Sequence, residues 1–238
     1  NKKIIGNINI GSFGLLDNDF QNVNVDLLSL DNNNKWIFKF DSEKINGEAK
    51  YIKKNKEQDE YLSIDFERLS LGKSKNANSN VSYEINRFPE LDVSINNFIY
   101  EGKNLGQLSL KTTKTDNIVN INKLDFNKPG FTIHSSGNWS NIDDTNKSEF
   151  EMTFKSESIK LMLDTFNYET ANIENGETRI ELSANWNGSP MDFSVANLNG
   201  KLNMEIAEGQ FLDIEPKAGR LFGLLSIQAL PRRLSLDF

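Results

Sequence analysis

The sequence predicts a mainly β chain whose strands each carry one apolar and one polar face, joined as an antiparallel meander. Three observations predict it. Apolar residues recur with a period of two along most of the 238 residues, the pattern of a half-buried strand. Turn-forming clusters separate these runs. The hydrophobic fraction is only 37% and the mean hydropathy -0.54, yet there are 16 phenylalanines, so apolar character is concentrated at selected positions, as on a lined surface.

The runs follow in order. Val23, Val25 and Leu27 alternate with Asn24 and Asp26; Trp36, Phe38 and Phe40 come next, then Leu62, Ile64 and Phe66. After a polar segment the series resumes at Leu91, Val93 and Ile95 and changes parity to Phe98 and Tyr100. The Asn96–Asn97 pair is the expected place for a bulge that keeps both halves facing inward. Later strands carry Leu108 with Leu110, Phe131 with Ile133, Phe150 with Met152 and Phe154, Ile180 with Leu182, Ala184 and Trp186, and Leu202 with Met204 and Ile206. Residues 31–34, 101–104, 127–130, 174–176 and 187–190 read as turns, and the polar stretches 53–60 and 73–80 as long hairpin tips. Two segments shift toward a helical period. Ile159, Leu161, Met162, Leu163 and Phe166 follow serines suited to cap a short helix, and Leu221, Phe222, Leu224, Leu225 and Ile227 lie between Pro216 and Pro231.

Composition removes several function classes. A net charge of -7 offers no positive field, so nucleic acid is not an expected partner. With no cysteine, thiolate catalysis, redox pairs and disulfides are out. The one histidine, His134, falls on the opposite face from Phe131 and Ile133; it reads as a solvated strand residue and leaves a Ser-His-Asp triad or a multi-histidine metal site without parts. Asp17–Asn18–Asp19 and residues 31–34 lack the glycine and glutamate of a calcium loop and read as turns. The 34 acidic residues fall mostly on the polar side, interleaved with lysine, which is a solvated face and not a carboxylate pair for hydrolysis. The expectation is no enzyme and no cofactor or metal. No run of 18 apolar residues occurs, and NKKIIGNINI has no signal-peptide core.

A sheet with one apolar face must cover it. A β-sandwich does so with a second layer, and a trough with an apolar guest; alternation by itself allows both.

Three stretches carry a resemblance: FPELDVSINNFIYEGKNLGQLSLKT at 88–112, SANWNGSP at 183–190, and 198–238, which contains GKLNMEIAEGQFLDIEP and AGRLFGLLSIQALPRRLSLDF. In these the chain resembles the YhdP group of AsmA-like proteins. The resemblance implies a long, curved antiparallel sheet forming an open hydrophobic groove with one or two short helices. It implies one elongated body over 1–238, with a subdivision at 1–87 and 88–238. The implied function is a segment of a bridge carrying phospholipids between inner and outer membranes, in the periplasm of a Gram-negative bacterium, with an inner-membrane anchor outside these residues. The alternating strand Leu234, Leu236 and Phe238 at the end reads as part of a longer chain.

The groove lining expected on this reading is Val93, Ile95, Phe98, Leu108, Leu110, Phe131, Ile133, Phe150, Met152, Phe154, Ile180, Leu182, Trp186, Phe193, Leu202, Met204 and Ile206. Arg232 and Arg233 are candidates for headgroup contact, against a salt-bridged turn; residues 218–230 are a helix closing the sheet, against a membrane-surface helix. The implied partners are phospholipid acyl chains, the two membranes through parts of the protein outside these residues, and envelope proteins. Moving a sixteen-carbon chain through water exposes about 0.8 kcal/mol per methylene, on the order of 13 kcal/mol in all, which a continuous dry surface removes. The competing reading is a β-sandwich envelope scaffold or outer-membrane assembly factor that binds proteins.

Overall fold

A computed structural model describes residues 3–15, 18–30, 34–53, 60–72, 85–143, 145–161, 173–174, 176–192, 198–207 and 210–211. Twelve strands make one open sheet whose order follows the chain. The chain divides into two units, Asn1–Asn127 and Lys128–Phe238. Among the described residues the other sheet is a two-stranded ladder of two-residue strands, so no second β layer of the sandwich kind is present there.

The first unit runs through β1 (Lys3–Leu15), β2 (Asn18–Leu30), β3 (Lys35–Asp41), β4 (Ile45–Ile52), β5 (Tyr61–Leu71), β6 (Glu90–Tyr100) and β7 (Lys103–Thr115) to β8 (Ile118–Lys128). The expected 101–104 turn is a two-residue hairpin link with positive φ at both Glu101 (50°) and Gly102 (77°), the conformation whose twist matches the flanking strands. One join departs from the meander: β5 and β6 pair in parallel. Parallel neighbours require a connection that returns the chain to the starting end, and residues 73–80, expected as a hairpin tip, lie outside the described residues. The return is tied down where it re-enters the sheet. Lys114 Nζ donates to Phe88 O (2.8 Å), Lys114 N donates to Glu90 Oε1 (2.8 Å), and Leu91 N donates to Thr112 Oγ1 (2.8 Å).

Parity changes recur across this unit. In β6 the pairing with β7 shifts between Ile95 and Phe98, so the expected bulge at Asn96–Asn97 is present, with Ile95 and Phe98 both buried. In β5 Glu67 is the extra residue between the pairs Gly47–Phe66 and Asn46–Arg68, which brings Phe66 and Leu69 to one face. In β8 Asn122 is extra between Ile121 and Lys123. Between the pairs Ile10–Val23 and Ser12–Gln21, Asn22 has a φ of 50°, and Phe20 and Val23 are both buried. Apolar residues three apart on a strand are the common signature. The bulge residues of β5 and β6 also meet, Asn96 Nδ2 donating to Glu67 Oε2 at 2.8 Å.

The second unit holds β9 (Phe131–Ile142), β10 (Thr145–Ser156), β12 (Glu177–Asn187) and β13 (Asn199–Ala207) as antiparallel neighbours, while β11 (Ile173–Glu174) pairs with β14 (Gln210–Phe211). Its registers carry no shift. After β10 a helical turn at 159–161 begins, with Ser158 Oγ accepting from Leu161 N at 3.1 Å, the expected serine cap. Met162, Leu163, Phe166 and the helical pattern at 221–227 lie outside the described residues.

Candidate functional site

In the first unit the apolar face is one continuous cluster: Phe20, Val23 and Val25 of β2, Ile45 and Ala49 of β4, Phe66 and Leu69 of β5, and Val93, Ile95 and Phe98 of β6, with half-buried side chains of β1, β3, β7 and β8 packed on it. Aromatic rings bridge over intervening strands. Phe40 of β3 meets Phe66 of β5 edge-on at 5.8 Å, above Gly47 of β4, which pairs with both. Gly47 has φ 136°, and a Cβ there would lie 2.6 Å from Phe66 Cα and 2.8 Å from Phe66 Cδ1, so the backbone and ring of Phe66 occupy the place of a missing side chain. Phe98 of β6 and Phe126 of β8 approach at 5.9 Å across β7, where Phe98 pairs with Gly106. Val93, Ile95 and Phe98 are thus buried among their neighbours, and Leu108 and Leu110 are half-buried at the margin.

The second unit is organised differently. Its unshifted registers align inward-facing residues in five rows that cross the strands. Phe131, Ser156, Thr178 and Ile206 form the first; Ile133, Phe154, Ile180 and Met204 the second; Ser135, Met152, Leu182 and Leu202 the third. Gly137, Phe150, Ala184 and Gly200 make the fourth, and Trp139, Ser148 and Trp186 the fifth.

The outer rows are closed except at Ile206 on the last strand. Over the first lie residues 157–161, with Glu157 N donating to Gly130 O and Ile159 N to Gly176 O, both at 2.9 Å, and Ile159 packed with Phe131 and Ile180. Gly130 makes room for this segment, since a Cβ on it would sit 2.7 Å from Leu161 Cδ2. Over the fifth row lies the turn that contains the 3-10 segment Pro190–Asp192. Trp186 Nε1 donates to Ser189 O (2.9 Å), Ser148 Oγ to Gly188 O (2.9 Å), and Trp139 Nε1 to Asn146 Oδ1 (3.0 Å), while Asp192 Oδ2 accepts from Ser189 N and Oγ. Phe150 stacks on Trp186 at 5.3 Å, its ring over the place a Gly137 side chain would take.

Between these walls the second and third rows are partly accessible, with Ile180 and Ser135 buried and the other six side chains less covered. Ile133, Phe154 and Met204, with Met152, Leu182 and Leu202, are half-buried, whereas Phe131, Phe150 and Trp186 are buried. Two rows stand about 7 Å apart along a strand, and four strands span about 14 Å across, so the lane is a short strip of hydrocarbon with a wall on each side. Ile206, on the last strand, is 40% exposed. Phe193, Arg232 and Arg233 lie outside the described residues. The alternation therefore placed every described lining candidate on an apolar face, but it did not separate buried packing residues from accessible ones. The glycines beneath the rings carried that signal: each interrupts an apolar series at a position where a neighbouring strand supplies Phe.

The opposite face of the second unit is wet. His134 is exposed there, opposite Thr153. Arg179 with Glu181 and Lys147 with Glu149 form exposed pairs, which contribute little to stability. Hydrogen bonds from Lys147 and Asn138 hold the Glu149 carboxyl below the usual glutamate range.

Comparison with known proteins adds the identity of the fold. The family model described as YhdP protein matches residues 4–238. The intermembrane phospholipid transporter YhdP of Escherichia coli (strain K12) is 26% identical over 111 residues, a stretch that covers 46% of this chain and 9% of that protein. No solved structure matches.

Proposed function

The chain belongs to the YhdP family, and from that premise we propose that it is one segment of a bridge-like carrier on which phospholipid tails move between inner and outer membranes while headgroups stay in water. The observation that carries the reading is the walled lane of the second unit: half-buried Ile133, Phe154, Met204, Met152, Leu182 and Leu202 around buried Ile180 and Ser135, with hydrogen-bonded closures on both sides. Closures of this kind cost backbone and side-chain order, and they leave partly accessible a strip that an ordinary core would fill. Hydrocarbon on that strip recovers about 25 cal/mol per Å² of apolar area removed from water. The work is binding and guidance. No bond is made or broken, and the lining acts collectively, with Met152, Leu182, Leu202 and Met204 as the most adaptable members. The relative's printed role as an intermembrane phospholipid transporter supports the same reading and a periplasmic location.

The test is to purify the chain without detergent, extract it and identify lipids by mass spectrometry, with a photo-crosslinking residue placed in turn at Leu182 and at its neighbour Ser183. Copurified phospholipid, crosslinked from position 182 and not from 183, is expected. A lipid-free protein, or equal crosslinking from both faces, would retire the proposal in favour of a protein-binding scaffold. Met152→Arg, which places a charge in the lane, should remove the bound lipid from a still-folded sheet.

A further inference from the structure

The lane contains one polar position. Ser135 stands in the third row, directly opposite Met152 and in register with Leu182 and Leu202. It is 7% exposed, and its hydroxyl has no hydrogen-bond partner among the described residues. The other buried hydroxyls of this face are all satisfied: Ser148 by Gly188 O, Ser156 by Gly130 O and Ser158 O, Thr178 by Gly176 O. Those three belong to the closed outer rows and hold the walls together. Ser135 is buried in the third row, whose other members Met152, Leu182 and Leu202 are half-buried, and its hydroxyl holds nothing among the described residues. Two further buried polar atoms lack partners, Asn97 Oδ1 and Glu101 Oε1, and both belong to the bulge and the terminal turn of β6 in the first unit.

An unpaired buried hydroxyl is costly, and alanine at the same place would carry no such cost. Resting on the phospholipid-carrying reading, we propose that Ser135 is a polar station in the lane that donates its hydroxyl hydrogen to an ester carbonyl of a glycerolipid, the acceptor found where acyl tails join the glycerol. The neighbouring side chain on β10 suits such a station. Met152 is unbranched and half-buried, so it can turn aside to admit the carbonyl without displacing backbone. The tails then lie along the second and third rows, and the headgroup leaves the face toward solvent. A single neutral hydrogen bond gives a weak, easily released hold, which suits a surface along which lipid must keep moving.

The experiment compares dioleoyl phosphatidylethanolamine with its dialkyl ether analogue, which has the same chains and headgroup but no carbonyl oxygens. Binding of each is measured by competition on the delipidated chain and on Ser135→Ala. The expected result is about a fivefold preference of the unaltered chain for the ester lipid, lost in Ser135→Ala while affinity for the ether lipid is retained. The lipid-free variant should unfold at the same temperature as the parent or higher, which separates the effect from misfolding. Equal affinity of the unaltered chain for both lipids, or a preference that survives in Ser135→Ala, overturns the station and leaves the carrier reading standing, as it would if water satisfies the hydroxyl. Failure of the unaltered chain to bind either lipid overturns the carrier reading itself.

Discussion

The two units solve the same problem, one apolar face on a run of strands, in different ways. The first is irregular, with extra or left-handed residues in β2, β5, β6 and β8, and its face closes into a cluster where phenylalanines reach over glycines to touch rings two strands away. The second keeps one register throughout, so its inward residues line up in rows, and hydrogen-bonded walls close the outer rows except at Ile206 while the middle stays partly accessible. Bulges bend and twist a strand and interrupt row order; an unbroken pleat preserves it. The contrast teaches that an apolar lane depends on register as much as on composition.

The most disruptive test of the contrast is deletion of Glu67. Without the extra residue, Leu69 and Leu71 turn toward the polar face, and a loss of about 5 kcal/mol is expected. Hydrogen exchange should show the lost protection in β4 to β6 and none in β10 or β12; undisturbed exchange in β5 would disprove the role given to the bulge. Phe150→Ala is the counterpart in the second unit. It removes a buried ring stacked on Trp186 and should cost about 4 kcal/mol by denaturant titration, with loosening confined to β9, β10 and β12.

Gly47→Ala comes next. A φ of 136° is open almost solely to glycine, and the added carbon meets Phe66, so a loss of about 3 kcal/mol is expected in the first unit. Ser148→Ala, which removes the hydroxyl holding Gly188 O over the fifth row, should cost about 1 kcal/mol and raise exchange at residues 188–192.

The smallest expected effect is that of pH, and its sign differs between the units. In the first, the hydrogen bond to Glu60 and then burial raise the Tyr51 phenol, and burial foremost raises Tyr61 and Tyr100. The folded chain holds those protons more tightly than the unfolded one, so their contribution is complete below the usual phenol range and is lost as pH rises through the folded values. In the second, the lowered Glu149 contributes above the usual glutamate range and is lost as pH falls through its folded value. Alkaline titration should therefore loosen the first unit and acid the second, each slightly, because the groups are largely solvated. In a Trp36→Phe background, tryptophan emission follows the second unit through Trp139 and Trp186. Alkaline loosening that begins there would contradict the assignment.

Much of this was legible in the residues. Period-two runs identified nine of the twelve strands of the large sheet, from Val23 and Val25 in β2 to Leu202 and Met204 in β13, missing β1, β4 and β8, and placed His134 on the wet side. The Asn96–Asn97 bulge was readable because Ile95 and Phe98 are three apart. The same spacing at Phe20 and Val23, at Phe66 and Leu69, and at Ile121 and Leu124 carried the same message and went unread. The parallel join of β5 to β6 was not readable, because residues 73–80 are polar whether a segment turns back or crosses over.

By itself the sequence determined which side of each strand avoids water, since alternation is a local property of the pleat that survives any arrangement of neighbours. It also determined that the chain carries no thiol, one histidine and a net charge of -7. Only the tertiary structure decided which apolar side chains are packing and which are accessible. That division depends on what lies across the strand and above it, such as a ring over Gly47, an indole beside Phe150 or a capped turn over Phe131, and those neighbours come from residues far away along the chain.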